Sequence, residues 1–96
     1  MIKNRDTREK SVEDYLRLRV KQMGGRAYKF TSPGNAGVPD RLIILPGGRI
    51  AFLELKAPGR KPTVRQKKKL QELSDLGCRT GWADSKSQVD AFLGVL

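Results

Sequence analysis

The sequence predicts an α/β fold: a small mixed β-sheet flanked by helices, in the order αβββαβα. Three observations lead there. Residues 41–45 and 50–56 are short aliphatic runs separated by Pro46, Gly47 and Gly48, which is the pattern of a β-hairpin. Residues 8–23 carry Val12, Leu16, Val20 and Met23 at helical spacing, with Tyr15 beside them. After the hairpin come a helix pattern and one more strand pattern, and such a crossover adds a parallel neighbour to a sheet that helices cover. The 96 residues are expected to form a single domain, 1–96, large enough for one core without disulfides.

Taken in order, residues 1–7 are polar and expected to fray. The first helix follows and stops at Gly24 and Gly25. Residues 26–31 alternate as a strand, with Ala27 and Lys29 on one face and Tyr28 and Phe30 on the other. Residues 32–37 are turn formers and read either as a plain connection or as a loop presenting N–H groups to phosphate. The second helix starts near Val64, places Leu70, Leu73 and Leu76 on one side and stops at Gly77. Residues 79–83 read as the fourth strand, with Trp82 in the core or an interface. The last helix covers residues 87–96, with a stripe of Val89, Phe92, Leu93 and Leu96.

Charges gather at the open end of the hairpin. A three-residue loop pairs Leu45 with Arg49, and counting outward brings Asp40 opposite Glu54, with Lys56 on the same face. A four-residue loop would instead set Asp40 against Leu55. Two facing carboxylates repel unless a cation sits between them. Hard oxygen ligands suit Mg²⁺, which binds through one or two carboxylates and keeps waters for a substrate phosphate. Lys56 would stand beside such a water. The plainer reading is a surface Glu–Lys pair with Asp40 as a turn residue.

Composition narrows the chemistry. Net charge is +10, from twenty basic and ten acidic side chains, which points to a polyanionic partner. There is no histidine, so a His-dependent nuclease of the HNH type and a Cys/His zinc site are both excluded. The one cysteine, Cys78, leaves no internal disulfide and fits a reducing compartment. No apolar run approaches membrane-spanning length, and a cytoplasmic protein is expected. Between Ala57 and Gln71 lie six basic residues and no acid, either a phosphate-binding surface or a solvated face. Candidate DNA contacts are Lys29, Ser32, Arg41, Arg60, Lys61, Arg65, Lys67 and Lys68.

Pro39-Asp40, thirteen residues and then Glu54-Leu55-Lys56 resembles the PD-(D/E)xK nuclease signature. The longer strings Gly37-Val38-Pro39-Asp40-Arg41 and Glu54-Leu55-Lys56-Ala57-Pro58-Gly59 resemble the VRR-NUC branch of that superfamily, of the stand-alone phage or bacterial type. The likeness runs from Val12-Glu13 to the C-terminal helix. It implies a restriction endonuclease-like core and a metal-dependent DNA endonuclease. Mg²⁺ or Mn²⁺ would be held by Asp40, Glu54 and the Leu55 backbone carbonyl. Glu13, which otherwise reads as a helix acid paired with Arg17, becomes a metal-site residue acting through water. Gln66 fits a capping box with Thr63, and the resemblance adds a role beside the metal. Lys56 positions or activates the water. The resemblance also implies a homodimer that cuts branched DNA, with a four-way junction as target, in a bacterial or phage-infected cell. Two rivals stand beside it: a non-catalytic basic nucleic-acid-binding module, which leaves Asp40 and Glu54 unexplained, and a structural subunit that keeps the fold.

Overall fold

The computed structural model describes residues 7–96, with side chains from Arg8 onward. The expected fraying of residues 1–7 therefore falls almost wholly outside the described residues. The elements are α1 (Thr7–Gln22), β1 (Arg26–Lys29), β2 (Arg41–Leu45), β3 (Arg49–Leu55), α2 (Val64–Asp75), β4 (Arg79–Ala83) and α3 (Lys86–Gly94). The order αβββαβα holds.

The four strands form one sheet in the order β1-β2-β3-β4. β1 with β2 and β2 with β3 are antiparallel, and β3 with β4 is parallel, so the sheet is mixed. The hairpin turns at Gly47 and Gly48, with φ of 85° and 72°, a left-handed conformation that glycine adopts without steric cost. That three-residue loop sets Leu45 against Arg49 and carries the ladder to Arg41 against Leu53. β1 is shorter than expected, ending at Lys29, although the Phe30 N–H still donates to the Asp40 carbonyl at 2.8 Å.

Alternation assigns the faces. Ile43, Leu45, Ala51, Leu53 and Leu55 point to one side and meet Val12, Leu16 and Val20 of α1 and Val89 and Leu93 of α3. Leu16, Ile43, Leu53, Leu55 and Leu93 are fully buried, each worth about 1.5–3 kcal/mol. The C-terminal stripe thus fills the core of its own chain, with Phe92 and Leu96 packed against it, while Trp82 is half-buried. On the surface, the Tyr15 hydroxyl donates to the Asp90 carboxylate at 2.8 Å, and Arg19 Nε donates to Asp90 Oδ1 at 2.9 Å, fastening α1 to α3.

The opposite face carries Leu42 and Phe52, with Phe30 edge-on to Phe52, and α2 packs against β4 with Leu70 buried. One expected α2 contact is absent. Leu76 is 79% exposed, because it lies past the last turn as the C-cap, with its N–H on the Glu72 carbonyl. Among the described residues no helix is long and apolar enough to cross a membrane.

Candidate active site

The site forms where the end of β3, the residue before β2 and the first turn of α2 meet. Asp40 stands one step outside the pair Arg41–Leu53, which puts it opposite Glu54 on the face that α2 covers. Its Oδ1 accepts the Leu55 backbone N–H at 3.0 Å. The N–H and C=O of a strand residue point to the same side, so the Leu55 carbonyl is turned toward Asp40 as well.

Glu54 is buried at the strand end. Its Oε2 accepts from Gln66 Nε2 at 3.1 Å and lies 3.6 Å from Lys56 Nζ. Among the described residues its buried Oε1 has no hydrogen-bond partner. Burial, with Asp40 adding its like charge, raises the Glu54 carboxyl from 4.5 to about 7, against the pull of Lys56. Asp40 is raised as well, chiefly by burial and against the Leu55 N–H.

Gln66 forms the expected capping box and also reaches Glu54. Its Oε1 accepts the Thr63 N–H at 2.9 Å and its own N–H donates to Thr63 Oγ1 at 3.1 Å, completing the capping box. The remaining amide group is free to reach Glu54. Upstream, Gly37 (φ 89°) packs on Arg65: a Cβ there would sit 2.7 Å from Arg65 Cγ and 3.1 Å from its carbonyl oxygen. The loop before Asp40 is thereby seated on the start of α2.

Two expected residues sit elsewhere. Arg41, expected as a DNA contact, is buried at 6% exposure. It shares the face of Ile43 and Leu45, and its guanidinium forms an ion pair with Glu13. Glu13, expected near the metal through water and otherwise on Arg17, is likewise buried and gives its carboxylate to Arg41. Arg41 Nη1 in turn donates to the Asp40 carbonyl at 3.0 Å and lies 3.8 Å from the Asp40 carboxylate. Glu13 therefore bears on Asp40 through Arg41.

The sequence reading missed Glu9 and Asp84. Glu9, one turn before Glu13 on α1, adds its charge to the field on Asp40; the i, i+4 spacing of the two acids was the available signal. Asp84 accepts the Gly59 N–H at 3.0 Å and pins the loop after Lys56. Lys29, Arg60, Lys61, Arg65, Lys67 and Lys68 are exposed, and Ser32 is half-buried with its hydroxyl accepting from Asn35 Nδ2 at 2.9 Å.

Two facing carboxylates and a lysine thus stand together at the end of a mixed sheet. The chain is 51% identical over 79 residues to a protein of Acyrthosiphon pisum secondary endosymbiont phage 1 named "Putative nuclease p44", covering 82% of this chain and 85% of that one. A solved structure described as a VRR_NUC domain superposes with a TM-score of 0.84 at 32% identity, over 91% of this chain and 95% of the other. A second, a VRR_NUC domain protein, has the same fold at a TM-score of 0.73 and 20% identity, over 95% and 88% of the two chains. No family model matches. The chain belongs to the VRR-NUC family of nucleases.

Proposed function

We propose that the protein is a metal-dependent endonuclease that hydrolyses DNA phosphodiester bonds. The observation that carries this reading is the Glu54 carboxylate: buried, opposite Asp40, with one oxygen that has no partner among the described residues. A buried oxygen costs stability unless something binds it. Among the described residues no group of three or more His, Cys, Asp or Glu side chains is placed to hold a metal. Two carboxylates and a carbonyl are nevertheless enough for Mg²⁺ or Mn²⁺, which takes its remaining ligands from water and phosphate. Asp40, Glu54 and the Leu55 carbonyl would hold the ion. A cation bound there lowers the pKa of a water and polarises a phosphoryl oxygen.

The chain's own groups do the rest. Lys56, a few ångströms from Glu54, offers a positive charge to the phosphate as its charge grows, or handles the proton of the attacking water. Gln66 orients Glu54, and Glu13 acts on Asp40 through Arg41. The exposed cations of residues 60–68 contact phosphates. A purely binding module gives no reason for the partnerless Glu54 oxygen.

The working form is a homodimer that cuts branched DNA at paired positions, a four-way junction above all, in the cytoplasm of a bacterial or phage-infected cell. Two coordinated cuts need two sites, and a two-fold dimer supplies them. Exposed Ile50 and Val95, beside a groove lined by Arg49, Arg79 and Leu96, offer apolar surface for it. Sedimentation at micromolar protein, with strand-by-strand mapping on a fixed junction, tests this part; a monomer that nicks linear duplex equally fast would end it.

The central test is cleavage with and without Mg²⁺ or Mn²⁺. Asp40→Asn and Glu54→Gln are expected to abolish cutting and weaken Mn²⁺ binding in calorimetric titration while DNA binding persists. Lys56→Ala should still bind Mn²⁺ yet lose roughly 10²–10⁴-fold in single-turnover rate. Full activity and unchanged Mn²⁺ affinity in either carboxylate variant would overturn the assignment.

A further inference from the structure

The groove between α1 and β1 holds cations that the proposed reaction does not use. Two hollows of about 440 and 400 Å³ lie along it and share Arg17 and Ala27 in their walls. Lys21 and Arg26 line the first, and Lys10 and Lys29 line the second. Among the described residues Arg17, Lys21 and Lys29 make no ion pair. The acids of the groove are already matched: Asp14 lies 3.4 Å from Lys10, and Glu13 is paired with Arg41. Unpaired positive charge therefore lines both walls, one helical and one a strand. A single solvated helix face would not produce that arrangement.

We propose that this groove is a second nucleic-acid track, which holds the sugar–phosphate backbone of one DNA strand beyond the stretch gripped by α2. The inference rests on the nuclease reading and extends the substrate footprint to the other face of the sheet. Lys10 and Lys21 lie eleven residues apart in sequence, about 16 Å along the helix, the rise of about five phosphates of one strand. The groove also leads to the site. Lys29 pairs across the ladder with Arg41, and Arg41 touches Asp40 through both its carbonyl and its carboxylate. A strand lying in the groove would thus run toward the residue expected to hold the metal.

The test uses the full chain with Asp40→Asn, which should bind DNA without cutting it. Fluorescence anisotropy is read against a short and a long duplex (about 10 and about 30 base pairs) across a salt series. Adding Arg17→Ala, Lys21→Ala and Lys29→Ala should weaken the long duplex at least about tenfold and flatten the log–log salt slope by about 2–3, at about 0.9 per lost contact. The short duplex should be little affected. Asp14→Asn, which removes an acid from the groove wall, should tighten the long duplex. Circular dichroism of the triple variant shows that it folds. A folded triple variant with the parent's affinity and slope on the long duplex would overturn the groove assignment while leaving the nuclease reading intact. A parent that binds neither duplex would sink both.

Discussion

Gln66 donates its side-chain Nε2–H to Glu54 Oε2 across 3.1 Å, tying the first turn of α2 to the end of β3. The same side chain closes the capping box with Thr63. The two duties separate on mutation. Gln66→Glu keeps an acceptor for the Thr63 N–H but loses the donor to Glu54 and brings a like charge beside it. At pH 5.5, where Glu54 keeps its proton, stability should change little, while cleavage should fall by roughly 10–100-fold, as when a group that orients a metal ligand is lost. Gln66→Ala should lose that activity and also about 0.5–2 kcal/mol of stability. Urea denaturation alongside cleavage rates reads both quantities.

Glu13 and Arg41 form an ion pair out of solvent contact, and removing one partner leaves the other's charge buried. Glu13→Ala should cost about 3–5 kcal/mol. Replacing both, as Glu13→Leu with Arg41→Met, should cost clearly less than the two single changes added together. Equilibrium unfolding of the four proteins measures the coupling, and simple additivity would show that the pair acts as two independent residues.

Glu54 makes stability fall with pH in the metal-free protein. Its folded carboxyl is raised above the unfolded value of 4.5 to about 7, so between these values the folded state holds more protons. The stability this group confers is complete below about pH 4.5 and is lost as pH rises through about 7. Melting temperatures in chelator at pH 5.5 and pH 8 should therefore differ by more in the wild type than in Glu54→Gln. Added Mn²⁺ should shrink the difference, because binding favours the ionised carboxylate.

Gly37→Ala puts a methyl group against Arg65 in a left-handed backbone conformation. The expected loss is about 1–3 kcal/mol. Because Asp40 lies only three residues on, the cleavage rate should drop with it. A thermal melt and a single-turnover assay check the two effects together.

The hairpin was legible in the sequence because turn formers split two aliphatic runs, but a four-residue loop was open too, and the convergence of two carboxylates was the reason to prefer three residues. Pro46, Gly47 and Gly48 make a three-residue loop, the loop sets the pairing, and the pairing brings Asp40 opposite Glu54. Gln66 was legible for a similar reason, since capping is local chemistry between positions three apart. Arg41, expected as a DNA contact, is buried. Its parity with Ile43 and Leu45 already placed it on the core face, but only the arrival of Glu13 from α1 makes burial tolerable, and that meeting joins residues 28 positions apart. Leu76 failed for the opposite reason: helical spacing continues on paper past the point where α2 leaves the sheet.

The packing of α1 against α3 sets a schedule for synthesis. Val12, Leu16 and Val20 leave the ribosome early, yet the residues that cover them, Val89 and Leu93, are made some seventy positions later. The latch at Asp90 that holds Tyr15 and Arg19 arrives with them. Until then the nascent chain carries an uncovered apolar stripe beside a half-built sheet whose parallel fourth strand is also late. Closure of the core thus waits for α3, and the growing chain passes through an interval in which chaperone binding or association with its neighbours competes with folding.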